Sequence, residues 1–171
     1  GAPFVIESNM VVPARCAPDN VKQFIAEETN RATEHQVTKA LWRGSEGTDT
    51  DLFLTHASVT EVARSLDPSA TLGLVLETAF EQAPGLNPVI HLGCQTAMSL
   101  QLGLANLGIP FVIGNGYPKD VIAVTGPVTV RLTPASLETD VDMQNRQYFQ
   151  AVRLGAIEFD PHYAVRAAST P

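Results

Sequence analysis

Between Pro18 and Gly44 the chain carries its strongest folding instruction. Asp19 or Asn20 is placed to cap a helix, Pro18 stands just outside it, and no further proline interrupts until the chain is well past Gly44, a natural stop residue. The helix should therefore run from about residue 19 to Trp42. Val21, Phe24, Ile25, Glu28 and Ala32 share one face, and Val37, Ala40 and Leu41 continue an apolar stripe that drifts around the axis. The opposite face carries Lys22, Glu27, Arg31, Glu34 and Lys39. At ~1.5 Å per residue such a helix is about 35 Å long. In a chain of 171 residues that length points to a spine laid across other elements rather than a buried core helix.

The middle of the chain has a different texture. Residues 43–68 are polar and weakly patterned. Asp67-Pro68-Ser69 then announces a second helix, in which Leu72, Val75, Leu76, Ala79, Phe80 and Ala83 follow the amphipathic spacing until Pro84-Gly85. Pro88–Leu92 reads as a short strand and Gln95–Leu107 as a third helix, with Ala97, Leu100, Leu104 and Leu107 inward. Gly108 closes it, and Ile109–Ile113 reads as a buried strand. From Asn115-Gly116 the period becomes two. Val121–Val124 and Val128–Leu132 read as strands joined through Thr125-Gly126-Pro127, Thr133–Asp142 as an acidic loop, Arg146–Phe159 as a long strand and Tyr163–Ala167 as a last one. At the start, residues 1–18 read as irregular, with a short strand at Phe4–Ile6 or Met10–Val12. The fold class is α+β, with helices and a sheet in the middle and a β-rich end.

Charge and composition narrow the function. Eighteen acidic against eleven basic side chains leave a net charge of −7, which disfavours phosphate binding by the whole surface. No apolar run reaches the ~18 residues of a membrane helix. Gly1–Pro13 lacks the basic-then-apolar pattern of a secretory leader. Cys16 and Cys94 are too few for a disulfide framework.

One arrangement resembles a catalytic site. In His91-Leu-Gly-Cys94-Gln-Thr96 a strand runs into a glycine and a cysteine opens a helix, whose N-terminus would lower a thiol pKa while His91 serves as base. Against it, the G-x-S-x-G pattern is missing, and a lone cysteine at a helix start is usually a packing residue. Gly114-Asn-Gly116-Tyr-Pro118 lacks the Gly-Lys-Ser/Thr of a phosphate loop and opens no helix, so a tight turn with positive φ at a glycine is expected. The histidines 35, 56, 91 and 162 form no metal-ligand spacing. Glu138, Asp140 and Asp142 alternate like a calcium loop but lack its glycine. No catalytic residue, cofactor or metal is expected.

The order of the pieces carries more than any single motif. Glu27–Gly44 with Cys16 upstream, ending Leu41-Trp42-Arg43-Gly44, then Val89-Ile-His91, Gly114-Asn-Gly116-Tyr-Pro118, Ile122-Ala-Val-Thr-Gly126-Pro-Val128, and finally Asn145–Tyr148 through Phe159-Asp160-Pro161 and Ala164-Val165-Arg166 resemble, in that order, phage major capsid proteins of the HK97 fold, especially an actinobacteriophage form. The resemblance implies a coat subunit that assembles with copies of itself, as pentamers and hexamers, into an icosahedral shell around double-stranded DNA. It implies a virion location, host cytoplasm during assembly, no membrane, and scaffolding, portal or decoration proteins as further partners. It implies a peripheral-type domain at 19–68 and 146–171 containing the spine helix, an axial-type domain at 69–145, and an N-terminal segment at 1–18. Only that segment precedes the spine helix, so a subunit lacking the family's N-terminal arm and extended loop is expected. Glu138, Asp140 and Asp142 are candidate intersubunit contacts, facing Arg131 or Arg153. No crosslinking lysine–asparagine pair is expected. An encapsulin-type shell protein, a capsid-bound adaptor or decoration protein, and a Cys94/His91 acyl-transfer enzyme are the alternatives.

Overall fold

A computed structural model describes residues 2–13, 20–44, 53–141 and 146–168. The chain runs β1 (Ala2–Pro13), α1 (Val21–Arg43), β2 (Thr60–Val62), α2 (Pro68–Gln82), β3 (Val89–Leu92), α3 (Cys94–Leu107), β4 (Phe111–Ile113), β5 (Ile122–Thr125), β6 (Thr129–Leu132), β7 (Ser136–Val141), β8 (Arg146–Glu158) and β9 (Val165–Ala167). These strands form two sheets. One is built on β8, which pairs antiparallel with β1 along one edge and with β6 and β7 along the other. The second has the order β2-β9-β5-β3-β4.

The start of the chain corrects the irregular reading. The two candidate strands are one strand of 12 residues, in unbroken register with β8 from Ala2 opposite Ile157 to Pro13 opposite Arg146. The strongly β-prone residues at both ends carry the polar Glu7-Ser8-Asn9 between them, because the ladder to β8 satisfies the backbone regardless of side chain. The expected acidic loop is likewise a strand. β7 spans 136–141 and pairs with β8, Glu138 opposite Gln150 and Asp140 opposite Tyr148. Asp142 lies outside the described residues, as do Asp19 and Cys16.

β5 and β6 follow one another as expected, but they are not partners. β5 pairs with β3 and β9, whereas β6 pairs with β8. The Gly126-Pro127 link therefore carries the chain from one sheet to the other. The segment after Phe159 carries it back, so β9 lies in the second sheet beside β2. β2 falls in the weakly patterned stretch and is only three residues long, too short to show a period.

α1 matches the expected span, but its buried stripe differs. Val21, Ile25, Thr29, Thr38, Leu41 and Trp42 are buried, while Phe24 is exposed. The threonines are tolerated inside because their hydroxyls donate to the helix's own carbonyls: Thr29 to Ile25 at 2.8 Å, Thr33 to Thr29 at 2.8 Å and Thr38 to Glu34 at 2.9 Å. Asn20 stands at the N-cap position without a side-chain cap bond. Gly44 ends the helix at φ +78°, a left-handed value that L side chains avoid. The carbonyls of Leu41 and Trp42 accept from the amides of Leu54 and Thr55 at 2.8 and 3.0 Å.

α2 and α3 cover the second sheet. Leu72, Val75, Ala79, Ala97, Leu100 and Leu104 pack with Ile90, Leu92, Ile122, Val124 and Val165 in one aliphatic core. Asp67 caps α2 through Ser69 N–H at 2.9 Å. Two expectations fail at the rim. Leu107 and Phe80 are exposed, and the strand at 111–113 presents Phe111, Val112 and Ile113 to solvent, because β4 is the sheet's edge and α3 covers only part of it.

Candidate functional site

The two sheets meet in a joint cluster that draws on both: Phe4, Ile6 and Ile157 from the β8 sheet, Leu41 and Trp42 from the end of α1, and Tyr117, Val121 and Ala123 from the second sheet and its turn. The turn at 114–117 is the clasp of this joint. Gly116 N–H donates to Thr38 Oγ1 at 2.9 Å, and His35 Nδ1 lies 3.2 Å from the Asn115 carbonyl. Tyr117 meets Trp42 edge-on at 6.4 Å between ring centres.

The glycines of this turn have a different role from the one expected. Neither Gly114 nor Gly116 has positive φ. A Cβ at Gly116 would stand 2.2 Å from the His35 carbonyl oxygen and 2.6 Å from the Lys39 amide nitrogen. Glycine is present because the turn lies directly against the backbone of α1. Sequence spacing marked the turn; it held no sign of the helix 78 residues earlier against which it packs.

Tyr117 continues into the second sheet through a closed chain of hydrogen bonds. Its hydroxyl is 2.9 Å from His91 Nδ1, His91 Nε2 is 2.9 Å from Thr125 Oγ1, and Thr125 donates to the Gly126 carbonyl at 2.6 Å. Because Thr125 spends its proton on that carbonyl, it accepts from His91 Nε2–H, and His91 Nδ1 accepts from Tyr117. The imidazole is neutral and saturated. Burial pushes its pKa down to about 4 and pushes the Tyr117 phenol up.

That arrangement removes the base from the Cys94/His91 reading. Cys94 opens α3 and is exposed, but both nitrogens of His91 are engaged elsewhere. The helix N-terminus is also occupied, since the Lys119 carbonyl accepts from the amides of Gln95 and Thr96 at 3.0 and 3.3 Å. The amides of Gln95 and Thr96 are thereby taken from any oxyanion or thiolate at that end. Among the described residues, no group of three or more His, Cys, Asp or Glu side chains is gathered to hold a metal, and no helix is long and apolar enough to cross a membrane.

The candidate contact residues divide between the two faces of the β8 sheet. Directly paired residues share a face. Glu138 stands opposite Gln150 and Arg131 opposite Ala156, which places both away from α1. Arg131 is mostly exposed and already has a carboxylate, Glu158, at 3.3 Å. Arg153 alternates to the α1 face, between Phe149/Ala151 and Ile157. It donates to Thr33 Oγ1 at 3.3 Å, and its Nε is buried without a partner. Glu138 and Arg153 of one chain are therefore not brought together.

No protein-family model matches the sequence, and no curated protein matches it. Solved structures match over nearly the whole chain. A virus-like particle protein from Pyrococcus furiosus superposes with a TM-score of 0.68 at 10% identity, covering 96% of this chain and 75% of that one. The protein of Gordonia phage Cozz gives 0.67 at 14% identity, covering 98% and 71%. An encapsulin complex from Synechococcus elongatus gives 0.65 at 10% identity, covering 96% and 73%. These are phage and encapsulin capsid structures, and the fold of this chain is the HK97-like capsid fold.

Proposed function

We propose that this chain is a structural subunit that assembles with copies of itself into a closed capsid-type shell. The observation that supports it most is the superposition over 96–98% of the chain on proteins of assembled shells. The saturated His91 and the occupied helix N-terminus at Cys94 support a structural over an acyl-transfer role. The finer reading is a phage major capsid protein that encloses double-stranded DNA, resides in the virion, is assembled in host cytoplasm, and works with scaffolding, portal or decoration proteins. In that reading residues 19–68 and 146–171 act as the peripheral-type domain and 69–145 as the axial-type one, with 129–141 paired to the β8 strand of the former and 165–167 to the sheet of the latter.

Negative-stain microscopy of the purified full-length product tests the shell. Uniform closed particles are expected; a chain that stays monomeric at high concentration across salt and pH overturns it. Nucleic acid protected from nuclease inside the particles supports the phage coat, and a protein cargo supports an encapsulin-type shell instead.

Glu138, Asp140, Asp142, Arg131 and Arg153 are proposed as intersubunit contacts. Arg153 is the strongest of them, because a half-buried guanidinium without a carboxylate among the described residues gains most from a neighbour's acid. Arg153→Glu should lower particle yield while Arg153→Lys retains it, with thermal melts reporting whether each variant folds. Particle yield unchanged in a folded Arg153→Glu variant removes the residue from the interface.

A further inference from the structure

From Gln82 to Pro118 the sequence holds no Asp, Glu, Lys or Arg, in a chain of net charge −7. That stretch is not all interior. It supplies β3, α3 and β4, and β4 is the last strand of its sheet, with no strand on its other side among the described residues. Phe111, Val112 and Ile113 are exposed there, and Met98 on α3 is 69% exposed. Between helix and strand lies an apolar groove of about 380 Å³, whose walls include Cys94, Ala97, Met98 and Gln101 on α3 and Phe111 and Ile113 on β4. Proteins ordinarily protect an open edge with charged side chains or a covering element. This one carries no charge on the strand or on the helix beside it.

The backbone defines what fits this edge. Ile90 N–H donates to the Pro110 carbonyl, and Gly114 N–H donates to that of Leu92, so residues 110 and 114 turn their polar groups to β3. Backbone direction alternates along a strand. The polar groups of Val112 therefore also face β3, and those of Phe111 and Ile113 face outward. Pro110 has no N–H, and the turn at 114–117 is held against α1. The edge thus offers two donor–acceptor sets, one on either side of Val112. Such an edge is antiparallel-complementary to itself. Phe111 meets Ile113 of the other strand and Ile113 meets Phe111, each pair exchanging both backbone bonds, while the two Val112 side chains stand directly opposite.

We propose that β4 pairs antiparallel with β4 of a second copy, about a two-fold axis at Val112. Charge selects a copy of the same chain: two molecules of net charge −7 repel wherever their acids meet, and this face brings none. The axis stands perpendicular to the sheet, so each face of the sheet continues across it. Both α3 helices then lie on one side. Their grooves merge into a single apolar cleft over Phe111 and Ile113 of both chains, filled by the two exposed Met98 side chains. The contact uses the same patch on both chains and closes on itself. It goes beyond the shell reading, because it joins two free chains and needs no particle.

The test is sedimentation equilibrium of the full chain below the concentration at which particles form, with circular dichroism melts as the folding control. The wild type should be a reversible dimer. Val112→Lys and Val112→Glu each set like charges face to face on the axis and should weaken the dimer by about tenfold or more. Mixed in equal amounts, the two variants should pair again, because Lys then faces Glu. Met98→Glu, on the exposed side of α3, places two acids in the merged cleft and should weaken the dimer as well. A wild-type chain that stays monomeric leaves the face to a different partner and overturns the pairing. So does a dimer that the folded Val112 and Met98 variants leave intact, or a Lys/Glu mixture that does not recover. Microscopy of the same wild-type preparation at higher concentration reads the shell separately: particles without a β4 dimer overturn this inference alone, and a β4 dimer without particles overturns the shell alone.

Discussion

The two helical layers of this molecule are built on opposite terms. α2 and α3 lie over the second sheet as aliphatic ridges, with Leu72, Val75, Leu100 and Leu104 closing one continuous core. α1 is a long polar helix with a broken contact line. Val21 and Ile25 pack with Phe149 and Ala151 at one end, Leu41 and Trp42 enter the joint cluster at the other, and the buried Thr29 and Thr38 share the span between with the partly buried Ala32, Val37 and Ala40. The first layer is held mainly by buried aliphatic area, with hydrogen bonds at the helix starts. The second is a beam pinned at its ends and positioned by directed contacts: Thr38 with Gly116, His35 with Asn115, and Trp42 with Tyr117. Aliphatic burial tolerates small slips, whereas a pinned beam fixes the placement of one sheet relative to the other. The proposed shell role would use the latter, since the edges of a shell subunit meet neighbours at set angles.

The largest test of this contrast is Trp42→Ala. Trp42 is 6% exposed, so its loss should cost about 3–5 kcal/mol in urea unfolding, as much as or more than Leu100→Ala in the aliphatic layer at about 2–5 kcal/mol. A cost under ~1 kcal/mol for Trp42→Ala would show that α1 is not pinned there.

The second test uses acid. His91 has its folded pKa lowered from 6.5 to about 4 by burial. The fold thus favours the neutral ring, and the associated stability is full above about pH 6.5 and lost as pH falls towards 4. The loss approaches about 3 kcal/mol at its limit. Carboxylates titrate over part of this window, so the quantity to measure is the difference in urea midpoint between pH 7 and pH 4 for wild type minus that for His91→Gln. An equal difference in both proteins would remove His91 as the acid-sensitive element of the joint.

The smallest effect sharpens the contrast at the helix starts. Asp67→Ala should cost about 1 kcal/mol, because the Asp67 carboxylate accepts from Ser69 N–H at 2.9 Å. Asn20→Ala should cost a few tenths at most, since Asn20 makes no side-chain cap bond. Equal costs in thermal melts would mean that both helices are capped alike.

Much of this was legible residue by residue. The caps and stops at Asp67, Gly44 and Gly108, and the spacing of Leu72, Val75 and Ala79, are local signals that a helix obeys wherever it lies. The site was less legible. His91 stood out as a base for Cys94, yet its ring faces Tyr117 and Thr125, which are 26 and 34 residues away. Gly116 was marked by its turn, but its need for a missing side chain comes from the backbone of His35 and Lys39. Phe24 fits an apolar helical face by spacing and is nonetheless exposed, while Thr29 is buried, because what decides is where the β8 sheet lies.

Sequence alone determined the long helix, the two amphipathic helices after it, the β-rich end and the ordered set of motifs resembling a capsid subunit. These follow from near-neighbour chemistry: 3.6-residue and two-residue periods, caps and glycine stops. Tertiary structure decided the rest. It joined the first 12 described residues into one strand, made a strand of the acidic segment at 136–141, sent β5 and β6 to different sheets and closed the joint through Tyr117 and His91. The physical reason is the same in each case. A strand's backbone bonds and a buried ring's partners come from residues distant in the chain, and only the folded arrangement brings them within reach.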